Sequence, residues 1–94
     1  MTISFESKVT VPEQVLVSEL ACESVLLNLQ SEQYHGLDDV GTRFWRRLTS
    51  SDSIQDAYEE LLREFDVAPE TLRTDLVELV EMLRERGLVN VVGA

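Results

Sequence analysis

The amino-acid sequence predicts an α+β fold in which a three-stranded antiparallel sheet is followed by three helices. Residues 15–37 form short β-branched and apolar runs separated by tight turns, a pattern typical of neighbouring antiparallel strands. From residue 38 onward the apolar residues recur three and four positions apart, as they do on one face of a helix. Strands that precede helices in this way pack as two layers, with the helices on one face of the sheet.

Three strands are predicted before the helices, at residues 15–20, 24–29 and 33–37. Val25, Leu27 and Leu29 alternate along the second strand and therefore share one of its faces. The polar lead-in at residues 1–12 is expected either to be flexible or to add an edge strand. Residues 88–92 are expected to form a final short strand.

The first two helices are predicted from their caps and their apolar stripes. Asp38 or Asp39 caps the first helix, because a carboxylate there accepts free backbone N–H groups, and Gly41 permits close packing against the sheet. Ser53 caps the second helix, with Asp56 at the capping-box spacing. The stripes are Val40, Phe44 and Leu48 with Trp45 beside them in the first helix, and Ile54, Ala57, Tyr58, Leu61, Leu62 and Phe65 in the second.

The third helix is predicted to begin at Pro69 and to end at Gly87, because proline suits the first turn of a helix and glycine its C-terminal end. Its predicted core stripe consists of Leu72, Leu76, Leu79 and Leu83. A second stripe on one flank consists of Arg73, Val77, Val80 and Arg84.

Length and composition predict a single domain covering residues 1–94, with a core at about residues 15–89. The formal net charge of −10 opposes nucleic-acid binding, which needs a basic face to release phosphate counterions. No apolar run is long enough to span a membrane and no signal-peptide pattern is present, so a soluble cytoplasmic protein is expected.

No arrangement of residues in the sequence predicts catalysis, so we expect this chain not to be an enzyme. Cys22 and His35 are the only cysteine and histidine, which gives weak support for a metal site, and we expect neither a metal nor a cofactor. Asp38 and Asp39 are interpreted as helix caps, because adjacent helical residues diverge by about 100° and do not share one acid–base site.

Binding by an exposed strand is the function that the residues support best. A strand that ends a small sheet leaves one row of N–H and C=O groups unpaired, and an extended peptide can pair with that row. The third helix is expected to provide the far wall of such a site, although Val77 and Val80 can equally be interpreted as widening the core. The candidate peptide-binding residues are Gln33, Tyr34, His35, Gly36 and Leu37 on the strand, and Arg73, Leu76, Val77, Val80 and Arg84 on the helix.

Two further groups of side chains leave alternatives open. Trp45 is interpreted as a core residue. Adjacent on the third strand, Tyr34 and His35 point to opposite faces, so only one of them faces inward. The one basic cluster is expected either to form salt bridges with the acidic helices or to contact a partner enzyme, and its members are Arg43, Arg46 and Arg47.

Most of the chain, from about Val15 to Val89, resembles the PqqD-like family of leader-peptide-binding domains, also called RiPP recognition elements. The resemblance lies in the order and spacing of short motifs. These are Leu26-Leu27-Asn28-Leu29, Tyr34 through Trp45, Ile54 through Tyr58 to Phe65-Asp66-Val67, Asp75-Leu76, and Leu83 through Leu88.

The resemblance implies a winged helix-turn-helix-like fold without catalytic activity. It implies that the leader segment of a ribosomally made precursor peptide adds as a strand along residues 33–37, against the third helix, and is presented to modifying enzymes. It leaves open which flank of that helix faces the leader. The stretch from Tyr34 to Asp38, together with Trp45, is most similar to the free-standing domains of lasso-peptide clusters, which act with a separate leader peptidase and a cyclase.

The sequence departs from other members of the family at two places. Domains that serve pyrroloquinoline quinone synthesis usually have Leu-Asn where Leu37-Asp38 stands, and they lack the preceding Tyr-x-Gly. Ala68 stands where relatives often have an aspartate as a helix cap. Three alternatives to a lasso-peptide function remain open. They are a peptide chaperone of pyrroloquinoline quinone synthesis, a winged-helix DNA-binding regulator, which shares this fold class, and an interaction subunit without a peptide groove.

Overall fold

The computed structural model describes residues 3–93, and within this range it confirms the predicted α+β order. The elements in chain order are β1 (Lys8–Thr10), β2 (Val15–Leu20), β3 (Glu23–Asn28), β4 (Tyr34–Leu37), α1 (Asp39–Ser50), α2 (Ile54–Glu64), α3 (Pro69–Glu85) and β5 (Asn90–Val92). The three strands predicted from the sequence are β2, β3 and β4, and their ends differ from the prediction by one residue at most.

Strands β2, β3 and β4 form an antiparallel meander in that order. Val15 pairs with Asn28 and Leu20 with Glu23 at the two ends of the β2–β3 ladder. The β3–β4 ladder is shorter and runs from the pair Ser24–Leu37 to the pair Leu27–Tyr34. We call the β2–β3 hairpin the wing.

The lead-in and the tail form a second, two-stranded sheet in which β1 pairs antiparallel with β5. Residues 8–10 thus take up the edge-strand alternative, whereas residues 1 and 2 lie outside the described range. The lead-in also contacts the start of α2. The carbonyl oxygens of Ser7 and Phe5 accept hydrogen bonds of 2.8 Å from the first backbone N–H groups of that helix. The lead-in therefore belongs to the core, and Ile3 and Phe5 are buried.

The helices cover the face of the sheet on which Ser24, Leu26 and Asn28 are buried. Val25, Leu27 and Leu29 share one face, as predicted, and it is the outward one: Val25 and Leu29 are exposed and Leu27 is half-buried. The core between the layers comprises Ile3, Phe5, Val9, Val15, Leu26, Leu37, Phe44, Trp45, Leu48, Ile54, Ala57, Leu61, Leu72, Leu76, Val80, Leu83, Leu88 and Val89.

Side-chain caps fix the starts of the first two helices. Asp38 caps α1, where its Oδ1 accepts a hydrogen bond of 2.8 Å from the N–H of Gly41. Ser53 caps α2 by accepting a hydrogen bond from the N–H of Asp56. Trp45 lies in the core with 3% of its surface exposed, as predicted, whereas Val40 at the start of the predicted α1 stripe is 47% exposed.

Helix α3 begins at Pro69 without a side-chain cap, because Ala68 has no hydrogen-bonding side chain. It ends before Gly87, whose φ of +72° is a left-handed conformation that glycine adopts without steric cost. One detail of the predicted core stripe was wrong: Val80 is buried in the core, whereas Leu79 is only partly buried beside it. Four residues after Leu76, Val80 lies closer to the centre of the buried face than the sequence pattern indicated.

The three arginines of the predicted basic cluster each pair with a carboxylate. Arg43 pairs with Asp39, and the other two pairs are Arg46–Glu19 and Arg47–Glu64. These pairs lie at the surface and contribute little to stability individually. Among the described helices, none combines the length and the apolar character needed to cross a membrane.

Candidate functional site

The outer edge of β4 is a free sheet edge. Strand β4 is the last strand of the meander, and the tail strand β5 pairs with β1 instead of with β4. In the part of the chain from residue 3 to residue 93, no strand pairs with this edge. A further extended segment can therefore add to the sheet at β4.

The ladder with β3 determines which backbone groups of β4 point outward. The N–H of Asn28 donates to the carbonyl oxygen of Gln33 at 2.8 Å, so Gln33 is directed toward β3. The direction of the backbone N–H and C=O groups alternates along an antiparallel strand, so those of His35 and Leu37 also point toward β3. Tyr34 and Gly36 consequently direct their N–H and C=O groups away from the sheet.

The side chains of β4 alternate between the two faces of the sheet. Leu37 is buried and His35 half-buried on the helical side, whereas Tyr34 is 69% exposed on the other. Of the two aromatic residues, His35 is thus the one that faces inward. Burial, and to a smaller extent the charge of Arg86, lower the pKa of His35 below its ordinary value of 6.5, which keeps the imidazole neutral at pH 7.

The junction between β4 and α1 is closely packed. A Cβ atom on Gly41 would lie 3.2 Å from Asp38 Oδ1 and 3.3 Å from Leu37 Cδ2, so a larger residue would push against the end of the strand. The hydroxyl of Thr42 is buried at 2.9 Å from that of Ser24 and donates at 3.4 Å to the carbonyl oxygen of Leu37. These contacts hold the end of β4 against the helical layer.

Asn28 holds the other end of β4. Its Oδ1 accepts hydrogen bonds from the N–H groups of Gln30 and Ser31 in the β3–β4 turn, at 2.9 and 3.2 Å. Its Nδ2 donates at 2.9 Å to the carbonyl oxygen of Gly87, directly after α3. One buried side chain thereby fixes the start of β4 relative to the C-terminal end of α3.

A groove of about 460 Å³ opens between the β4–α1 junction and α3. We call it the β4–α3 groove. It is lined by Asp38, Val40, Gly41 and Phe44 on one side and by Asp75, Glu78, Leu79 and Met82 on the other. Its walls combine apolar side chains with three carboxylates, a composition suited to binding a side chain that is partly apolar.

The α3 residues that the sequence suggested as peptide contacts lie elsewhere, since none of them lines this groove. Leu76 and Val80 are buried in the core, and Val77 is partly buried against it. The guanidinium carbon of Arg73 lies 4.0 Å from the centre of the Phe5 ring, so Arg73 faces the N-terminal segment. Arg84 is half-buried outside the groove.

The α3 residues that line the groove were not among the candidates named from the sequence, although they follow a helical spacing. Asp75, Glu78, Leu79 and Met82 are three or four positions apart and lie on the flank of the core stripe opposite to Arg73. The sequence pattern identifies both flanks, but only the direction in which α3 packs shows which one lines the groove.

Within residues 3–93, no cluster of histidine, cysteine and acidic residues is arranged to hold a metal ion. Cys22 is exposed in the turn of the wing. The arrangement at β4 offers backbone pairing and a partly apolar groove.

Two solved structures are similar to this chain over most of its length. The chain is similar to a solved structure of TbiB1 in complex with the TbiA(beta) leader peptide, with a TM-score of 0.82 and 27% sequence identity over 90% of this chain and 99% of that one. It is also similar to a lasso peptide synthetase B1 complexed with the leader peptide, with a TM-score of 0.78 and 25% identity over 88% of this chain and 98% of that one. No curated protein sequence matches the chain significantly.

The family comparison agrees with the structural one. The profile of the family described as coenzyme PQQ synthesis protein D (PqqD) matches residues 23–89, which is well over half of the chain. The matched region runs from β3 to the residue before β5 and includes the whole of β4, the junction and α3. The chain therefore belongs to the PqqD family, as the resemblance in its sequence predicted.

Proposed function

We propose that this chain binds the leader segment of a ribosomally synthesised precursor peptide by adding it as a strand to β4. The observation that carries the proposal is the outward direction of the N–H and C=O groups of Tyr34 and Gly36, on the strand that leads into the β4–α3 groove at Asp38. Membership of the PqqD family supports it, and so does the likeness to two proteins solved with leader peptides.

The groove supplies the side-chain contacts that backbone pairing lacks. Side chains alternate along an extended peptide, so every second side chain of a strand added to β4 points toward the helical layer. Val40, Leu79 and Met82 offer apolar surface there. The proposed contacts are therefore Gln33, Tyr34, His35, Gly36 and Leu37 together with the groove residues of α3. The other flank of α3, with Arg73, Val77 and Arg84, lies outside this proposal, and Leu76 and Val80 are core residues.

The proposed role is delivery without catalysis in the cytoplasm, and the enzymes served are a lasso-peptide leader peptidase and cyclase. The outward face of the sheet is a suitable surface for such an enzyme, because it is apolar, exposed and continuous with the β4 edge. Its exposed apolar residues include Leu16, Leu20, Val25, Leu29 and Tyr34.

A second candidate differs in pathway and not in mechanism. The matching family is named for a protein of pyrroloquinoline quinone synthesis, which favours a peptide chaperone of that pathway. The departures at Tyr34, Gly36 and Asp38 favour the lasso-peptide assignment instead. A short precursor reading frame beside a transglutaminase-like peptidase gene would distinguish the two.

Amide hydrogen exchange tests the proposal directly. A synthetic leader of roughly 12 to 20 residues, taken from the neighbouring precursor gene, is expected to bind with micromolar to nanomolar affinity, about −8 to −12 kcal/mol. The amides of Tyr34 and Gly36 should exchange rapidly in the free protein and become protected by the leader. Binding without protection of these two amides, or no binding by titration calorimetry, would contradict the proposal.

A further inference from the structure

The β4–α3 groove has an apolar floor and an acidic rim. Phe44 is buried at its base, Leu79 and Met82 are half-buried along α3, and Val40 is exposed on the opposite wall. The carboxylates of Asp38, Asp75 and Glu78 also line the groove, and all three residues are exposed. The groove is thus suited to a side chain with an apolar stem and a positively charged end.

The two α3 carboxylates have no ion-pair partner among the described residues. Four arginines form ion pairs in this part of the molecule, with Asp39, Glu19, Glu64 and Glu60. Asp75 and Glu78 are absent from these pairs, and Asp38 uses Oδ1 to cap α1. The rim therefore presents negative charge that the surrounding side chains leave uncompensated.

On the basis of the proposed function, we propose that the β4–α3 groove selects leader peptides carrying a lysine or arginine at one position, with its aliphatic stem on Leu79 and Met82 and its charge facing Asp75 and Glu78. Long basic side chains commonly lie along apolar surface while their charged ends remain in water. The basic residue adjoins the segment that pairs with Gly36, because Asp38 follows Leu37 directly and lines the groove.

Attraction by the whole chain and selection by the groove make different demands on a peptide. A net charge of −10 raises the encounter rate of any basic peptide, wherever its charges lie. Carboxylates beside an apolar floor favour a cation at one register relative to β4. Selection therefore appears as a fixed position of the basic residue, and general attraction as an excess of basic residues spread along the peptide.

A displayed library of random 15-residue peptides, panned on the immobilised full chain, tests the proposal. We expect aligned binders to carry lysine or arginine at one position next to the apolar segment that lies along β4. The double substitution Asp75→Lys with Glu78→Lys should remove this preference and weaken a selected binder at least tenfold. The matched control, Glu13→Lys with Glu59→Lys, changes the net charge equally at exposed sites outside the groove and should alter its affinity less than twofold.

The outcomes separate this inference from the proposed function. Binders that depend on the β4 edge, shown by their loss with Gly36→Pro, but lack a positional basic preference would overturn the inference and leave strand addition standing. Equal weakening by the groove and control charge reversals would assign the preference to net charge and also overturn it. If no peptide depends on Gly36, the proposed function itself is wrong. Circular dichroism of each variant checks that it is folded.

Discussion

The three-stranded sheet has two free edges in the described part of the chain, and they differ in what lies beside them. β4 leads directly into Asp38, which lines the β4–α3 groove, whereas the edge of β2 lies on the wing, where residues 16–20 are exposed on both faces of the strand. The N–H of Leu29 donates to Gln14 at 2.8 Å, so by alternation Val17 and Glu19 direct their backbone groups outward from β2.

Open backbone groups alone therefore do not distinguish a binding edge, because β2 and β4 both have them. Backbone pairing is nearly independent of the peptide sequence, and the choice of peptide comes from pockets for alternate side chains. The two edges differ in the pocket beside them: β4 leads into the β4–α3 groove of about 460 Å³, whereas β2 adjoins a pocket of about 100 Å³ lined by Ser18, Leu20 and Val25 among others. The ion pair between Glu19 and Arg46 also puts two charged side chains beside the β2 edge, and charge at a sheet edge discourages strand addition.

Proline substitution should separate the two edges with the largest effect. Gly36→Pro removes an outward N–H and should weaken leader binding roughly a hundredfold, equivalent to about 3 kcal/mol, through one lost hydrogen bond and the bulk of the ring. Val17→Pro removes an outward N–H from β2 and should leave affinity unchanged. Titration calorimetry measures both, and equal losses at the two edges would contradict the assignment to β4.

A neighbouring proline sharpens this test. His35→Pro removes an N–H that is directed toward β3, so it should lower the midpoint of thermal unfolding as well as the affinity. Gly36→Pro should leave that midpoint close to that of the unmodified protein. If both substitutions destabilise the fold to the same extent, the alternation inferred for β4 is wrong.

The two hairpin turns should differ in how much stability depends on them. Asn28→Ala removes three hydrogen bonds that join the β3–β4 turn to the end of α3, and it should reduce the free energy of unfolding by roughly 2 kcal/mol. In the wing turn, Ala21 has a φ of +54°, so Ala21→Gly should not destabilise the chain and should relieve about 1 kcal/mol of strain. Urea denaturation compares them, and an unaffected Asn28→Ala variant would refute the anchoring role.

A charge placed in the groove should weaken binding more than a charge placed on the wing. Val40→Lys puts a positive charge on the apolar wall opposite Leu79 and Met82, where it should repel the basic leader side chain inferred for this groove, and its cost at the start of α1 is about 0.3 to 1 kcal/mol. We expect roughly tenfold weaker leader binding, about 1.4 kcal/mol. Leu20→Lys on the wing, where the side chain is 75% exposed, is the control. Fluorescence anisotropy with a labelled leader should show a change only for Val40→Lys.

The strands and helices could be predicted from the sequence because each depends on local patterns. The change from strand to helix spacing near residue 38, the cap at Ser53 and the proline at residue 69 are all readable without neighbours. The edge position of residues 33–37 also followed, since the meander left that strand last. All of these agree with the described structure.

The flank of α3 that lines the groove could not be predicted in the same way, because it depends on how α3 is rotated against the sheet. Arg73 and Asp75 are two residues apart and lie on opposite flanks, one at Phe5 and the other in the groove. The helical pattern alone does not show which of the two flanks lines the groove. The role of the lead-in was hidden for a related reason, because Phe5 and Ser7 bind the start of α2 through their carbonyl oxygens, which carry no sequence pattern.

The smallest expected effect is a titration that reports on the inner face of β4. Burial and the nearby Arg86 lower the pKa of His35, so the folded protein should titrate below 6.5 in an NMR experiment on this single histidine. Because the unfolded chain takes up the proton more readily, the stability associated with neutral His35 is fully present above pH 6.5 and decreases as the pH falls through that value. Arg86→Ala should move the pKa only part of the way back, because burial is the larger cause and remains. A pKa at or above 6.5 in the unmodified protein would show that burial and Arg86 do not dominate the electrostatic environment of His35.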